Sequence, residues 1–174
     1  MITNPFALFD LPVDFNVDQA ALSARYLALQ KSLHPDNFAH ASGQEQRLAM
    51  QKSAEINDAL QILKDPIARA DSIIAIHTGE QQDLEQKSNH DMTFLMQQLS
   101  WREQLEEIEH NRDVTALADF TAQVEQSRQA YSAEINTALA ERNWRQAQML
   151  NDRLRFIRKL TDEIERIEET LAGF

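Results

Sequence analysis

At 174 residues the chain is long enough for one or two domains with real cores. Its 17 Lys+Arg stand against 28 Asp+Glu, a formal charge of −11, which argues against nucleic acid as the main partner. The absence of cysteine removes disulfides, zinc–thiolate sites and thiol nucleophiles and suits a reducing compartment. No apolar run approaches the ~20 residues a bilayer span needs, and the amino terminus is not of the basic-then-apolar signal type. The expectation is a soluble, cytoplasmic protein with no membrane partner, and its acidic surface favours a monomer.

Helix breakers are few. The prolines are Pro5, Pro12, Pro35 and Pro66, the glycines Gly43, Gly79 and Gly173, in a chain rich in Ala, Leu, Gln and Glu. This composition predicts an all-α protein, with longer uninterrupted helices after Pro66. Between Pro5 and Pro12, Phe6, Leu8, Phe9 and Leu11 are apolar enough to pin the amino terminus to a core. Leu22, Tyr26, Leu29 and Leu33 then recur at helical spacing, with Asp18 placed to cap the start. Pro35 disfavours helical geometry at the residue before it, so His34 leaves the helix and His34-Pro35-Asp36 forms a loop tip. A second helix is expected to begin near Gln44, with Leu48, Ile56, Leu60 and Leu63 as its apolar stripe. Asp65-Pro66 ends it and opens a short helix carrying Ile67, Ile73, Ile74 and Ile76, for which Gly79 is the natural stop.

The polar, non-periodic stretch 79–88 reads as a boundary between a module over 1–78 and another over 89–174. The second module reads as three helices, about Asn89 to His110, Asp113 to Arg142 and Asn143 to Ala172, with Asp113 and Asn143 as caps. Short connections make them antiparallel neighbours in a bundle. In the third, Leu150, Leu154, Ile157, Leu160, Ile164, Ile167 and Leu171 form a near-heptad stripe. Acidic charge concentrates after His77, where 11 Lys+Arg face 19 Asp+Glu.

On the first bundle helix, Phe94, Trp101, Leu105 and Ile108 share one face at ~100° per residue, and that face is the expected core. Met92, Leu95, Met96 and Leu99 lie well away from it, with Arg102, Glu103 and Glu107 further along. A helix apolar on two faces must bury the second, either on the first module or against a partner, for which flexible Met and Leu rimmed by charge are suited. Phe156 lies off the stripe of its own helix, beside Arg155 and Arg158, and favours a docking surface. Glu107 and His110 have a Glu-x-x-His spacing, but a di-iron bundle needs two such motifs and further carboxylates. His34 and His40 lack a third ligand at plausible spacing.

The antiparallel helix pair, the loop His34-Pro35-Asp36 and the segment Ile56-Asn57-Asp58-Ala59-Leu60-Gln61-Ile62-Leu63 together resemble a J-domain, the module that activates DnaK-type chaperone ATPases. The segments Asn4 to Pro12, Asp65 to Ala70 and Phe94 to Leu99 are similar to the HscB co-chaperones of iron–sulfur cluster assembly. The resemblance covers nearly the whole chain. It implies a J-domain joined to a three-helix bundle, no catalysis of its own and no cofactor. The J-domain would stimulate the chaperone ATPase HscA in a bacterial cytoplasm, and the bundle would deliver the cluster scaffold IscU; the alternative is a J-domain co-chaperone with a different client protein. It further implies that His34, Pro35 and Asp36, with Arg25 and Lys31 on the preceding helix, touch the chaperone. Arg25 and Lys31 can equally be a solvated helix face. Leu95, Met96, Leu99, Arg102, Glu103, Glu107 and Phe156 match positions the family uses to hold the scaffold. Two departures stand out: Asn37 occupies a position where many J-domains have lysine, and Ser100 one where an acidic residue is common.

Overall fold

The computed structural model describes residues 4–79 and 91–173, and these form helices without a strand. The chain divides into two compact units, Met1–Gln81 and Gln82–Phe174. Most of the expected boundary segment 79–88, together with Asn89, lies outside the described residues.

In the first unit, α1 (Pro5–Leu8) is a single turn opened by Asn4, whose Oδ1 accepts the Ala7 N–H, and by Pro5 at its first position. Its Phe6 and the following Phe9 are fully buried, so a four-residue helix is held by tertiary packing rather than by its own propensity. Asp18 caps α2 (Gln19–Ser32) through the Ala21 N–H. A 3₁₀ turn over Pro35–Phe38 follows, and then α3 (Gly43–Lys64), which Ser42 caps through the Glu45 N–H. Asp65 ends α3 and caps α4 (Pro66–Thr78), whose last turn is closed by Gly79 at φ 75°, a left-handed position that suits glycine.

One stripe differs from expectation. Leu48 is 57% exposed, and Ala49 is buried in its place beneath Ile56, Leu60 and Leu63. The angular arithmetic explains this. Seven residues from Ala49 to Ile56 close to within ~20° of two turns, whereas the eight from Leu48 overshoot by ~80°.

In the second unit, α5 (Met92–Asn111), α6 (Val114–Ala140) and α7 (Trp144–Leu171) are capped by Asp91, Asp113 and Asn143. The core holds Phe94, Trp101, Leu105 and Ile108 of α5, Leu117, Phe120 and Val124 of α6, and Ile157, Leu160, Ile164 and Ile167 of α7. Leu150 and Leu154 are buried further up α7. At ~25 cal/mol per Å², full burial of each large side chain contributes roughly 1.5–3 kcal/mol, and these stripes hold the unit together.

An ion pair ties the start of α5 to the middle of α7. The Arg153 guanidinium donates to both oxygens of Asp91, at 2.7 and 2.9 Å, with both side chains largely withdrawn from water. Asp91 simultaneously accepts the Phe94 N–H as the helix cap. The hydrogen bonds from Arg153 hold the Asp91 carboxyl below the ordinary carboxylate range against the opposing effect of burial, and they raise Arg153. A carboxylate whose folded pKa is depressed stabilises fully above its unfolded pKa, near 4, and loses that contribution as pH falls through the folded value. Wild type is therefore expected to lead Asp91→Asn by a constant margin of about 1.5–3 kcal/mol above pH ~5. In urea melts followed by circular dichroism, that margin shrinks as pH drops from 4 towards 2. A margin independent of pH would leave the pair without its stabilising role.

Candidate functional site

Two surfaces carry the candidate residues, one on each unit. In the first, α2 stops at Ser32, and His34 turns the backbone to an extended ψ of 138° as the residue before Pro35. Pro35 then opens the 3₁₀ turn, where its missing N–H costs no hydrogen bond. His34 Nδ1 accepts the Asp36 N–H at 3.2 Å, and His34 O accepts the Asn37 N–H at 2.9 Å. The Asp36 carboxylate is 92% exposed and lies 3.5 Å from His34 Nδ1, an ion pair only when the imidazole is protonated. The result is a rigid turn that holds one carboxylate out into solvent, ready to accept hydrogen bonds from a cation.

Lys31 is exposed at the end of α2, beside the turn. Arg25 is differently engaged: its Nη1 donates to Phe9 O at 2.9 Å and Asp10 O at 2.5 Å, fastening the turn after α1 onto α2. Asp10 has φ 53°, so this bond secures a left-handed turn that an aspartate tolerates at some cost. Arg25 is thus exposed on α2 and at the same time bonded to the turn after α1.

Polar side chains between α2 and α3 organise the same region. Tyr26 Oη and Gln30 Nε2 both donate to Asn57 Oδ1, at 2.7 and 3.0 Å, and Ser53 Oγ donates to Gln30 Oε1 at 3.1 Å. This polar network fixes α2 against α3. Its only signal in the sequence is a polar residue recurring on the inner side of each helix.

On the second unit, Leu95, Met96 and Leu99 are 42%, 64% and 51% exposed, and Met92 extends the patch. Helical geometry places them with Glu103 on the side of α5 opposite its buried residues. Glu103 and Glu107 are also exposed. Arg102 pairs with Glu163 of α7 at 3.4 Å and lies 5.4 Å from the centre of the Phe156 ring. Ser100 Oγ accepts from Gln104 Nε2 at 3.0 Å.

Phe156 is less exposed than its flank position suggests. It is half-buried and packs on the core rather than standing clear on a charged flank. Its ring stacks on Trp101, centroids 6.3 Å apart and planes 6° from parallel, and meets Phe94 edge-on at 5.7 Å. The reason is that α7 faces two helices, so its buried arc is wider than one stripe and includes the flank that meets α5. Phe156 therefore joins the patch through the Arg102 guanidinium lying across it.

Helices throughout the described residues, with a His-Pro-Asp turn between α2 and α3 and a helical bundle in the second unit, define a J-domain protein of the co-chaperone class. Comparison with known proteins narrows this. Residues 90–165 match the family model described as the HSCB C-terminal oligomerisation domain. The co-chaperone protein HscB homolog of Mannheimia succiniciproducens is 66% identical across 99% of this chain and all of that protein. Its counterpart in Haemophilus influenzae is 55% identical, with 97% of each chain covered. The solved structure of chaperone HscB from Vibrio cholerae superposes with a TM-score of 0.91 at 41% identity, covering 97% of this chain and 99% of that one. The human co-chaperone HscB shares the fold, with a TM-score of 0.84 at 24% identity over 95% and 82% of the two chains. The chain belongs to the HscB co-chaperone family.

Proposed function

We propose that this co-chaperone binds an IscU-like iron–sulfur scaffold protein through its C-terminal bundle and delivers it to an HscA-like, DnaK-type chaperone. Its His34-Pro35-Asp36 turn stimulates ATP hydrolysis by that chaperone in the cytoplasm. The observation that carries this reading is a rigid turn holding one exposed carboxylate, in a chain whose bundle exposes an apolar patch. Lys31 adds a cation beside the turn, and Arg25 supports it by fixing the amino-terminal segment. The scaffold would lie on Leu95, Met96 and Leu99, rimmed by Arg102, Glu103 and Glu107 and backed by Phe156. Iron–sulfur clusters are normally held by cysteine thiolates, so a chain with none handles the carrier and does not hold the cluster itself.

The test is direct. Changing Leu95, Met96 and Leu99 together to Ala is expected to weaken binding of purified scaffold about 30-fold or more in calorimetry. The melting temperature should stay within ~2 °C, because these side chains are largely exposed. Equal binding by the triple variant would remove the patch from the scaffold contact.

The description of the matched family model favours a second reading, self-association through the same bundle. Light scattering separates the two. A monomeric wild type agrees with scaffold binding, whereas a dimer that the triple variant abolishes assigns the patch to a second copy.

A further inference from the structure

We infer that Asn37 and Gln46 are positioning residues, two uncharged amides that clamp the ends of the His34-Pro35-Asp36 turn and set Asp36 in place before a partner arrives. The inference rests on the reading above that this turn addresses the chaperone ATPase. The last carbonyls of a helix have no partner within it. Here Asn37 Nδ2 reaches back from the turn and donates to two of them, Lys31 O at 2.8 Å and Ser32 O at 3.2 Å. At the far end, Gln46 Nε2 donates from the first turn of α3 to Phe38 O at 3.0 Å and Ala41 O at 3.4 Å. Each amide closes two bonds, which its two N–H groups allow and a single hydroxyl does not.

The clamps would be useless if the helices bearing them slid. The Tyr26–Asn57–Gln30–Ser53 network prevents that by fixing α2 to α3. Within the turn, the Asp36 and Asn37 N–H groups are both bonded to His34. The hydrogen bonds that order the turn are therefore all between uncharged groups, and the exposed carboxylate of Asp36 has His34 as its neighbour there.

The departure at Asn37 has a structural consequence. A lysine after Asp36 would add steering charge on a flexible stem, whereas Asn37 offers a short group with fixed donors. The chain gives up electrostatic attraction and lowers the ordering cost of binding instead.

Loss of preorganisation appears in the concentration needed and not in the rate reached. Asn37→Ala and Gln46→Ala are each expected to raise the half-saturating concentration for ATPase stimulation about two- to tenfold. Stimulation at saturation should match wild type. The test measures those curves with the intact protein, together with hydrogen exchange at the Asp36, Asn37 and Phe38 amides. Faster exchange in both variants, at a melting temperature within a few degrees of wild type, is the expected result. Asn37→Lys should behave like Asn37→Ala at high salt and recover at low salt. Curves and exchange identical to wild type overturn the clamp, as does lost maximal stimulation at an unchanged half-saturating concentration. Asp36→Asn runs alongside: if it stimulates fully, the loop's role fails, while the exchange data still judge the clamp.

Discussion

Asp36→Asn is expected to abolish stimulation of a DnaK-type ATPase while leaving the fold untouched. Asparagine keeps the shape of the side chain and removes only its charge, and the carboxylate is almost wholly in solvent, with His34 as its neighbour. Substitutions at such positions change stability by about 0.5 kcal/mol or less. The consequence in the complex is larger. A charge-assisted hydrogen bond is lost and a basic group on the partner is left facing a neutral amide, which costs about 2–5 kcal/mol in a desolvated contact. That is roughly 30- to several-thousand-fold in binding, enough to erase stimulation at ordinary concentrations. Steady-state ATP hydrolysis, titrated with wild type and variant of equal melting temperature, is the measurement. Undiminished stimulation by a folded Asp36→Asn protein would refute the assignment.

The parts of this fold that the sequence displays are those governed by local rules. Asp18, Asp65, Asp113 and Asn143 all cap helices as their positions suggest, because a cap depends on residues two or three apart. The stripe from Leu150 to Ile167 is equally visible, since its period fits one continuous buried face. Side-chain size misleads where periodicity does not. Leu48 is the larger apolar residue, yet the seven-residue step to Ile56 puts Ala49 inside. Phe156 is another case, a flank residue of α7 that packs against the core because α5 meets it there, while staying half-buried.

Long-range polar pairing is the least legible. Asp91 and Arg153 are 62 positions apart, and Arg25 reaches carbonyls 15 and 16 residues earlier. No local pattern marks either. The candidate site follows the same division. The backbone break at His34-Pro35 is dictated by the proline ring, so the turn can be read directly. The amides that fix its two ends act through backbone carbonyls, which carry no side-chain signature.

Phe94→Ala is expected to be the most destabilising single change in the second unit. The Phe94 ring is met edge-on by Trp101 at 5.9 Å, Tyr131 at 5.9 Å and Phe156 at 5.7 Å, and the Arg153 guanidinium lies 5.2 Å from its centre. Its removal leaves three aromatic edges facing a void and takes the packing from one side of the Asp91–Arg153 pair. Core Phe→Ala changes cost about 3–5 kcal/mol, and for a unit of this size each kcal/mol lowers the melting temperature by about 4–8 °C. A fall of roughly 12 °C or more is thus expected in a calorimetric melt, with Phe156→Ala falling less because its ring is only half-buried. Leu95, the next residue, is the control. A single step of ~100° takes the chain from the centre of the aromatic cluster to the exposed patch. Leu95→Ala should therefore melt with wild type and bind scaffold more weakly, while Phe94→Ala loses stability first and binding only as a consequence. If both variants melt alike, the two faces of α5 are not divided between core and docking surface, and the scaffold patch loses its physical basis.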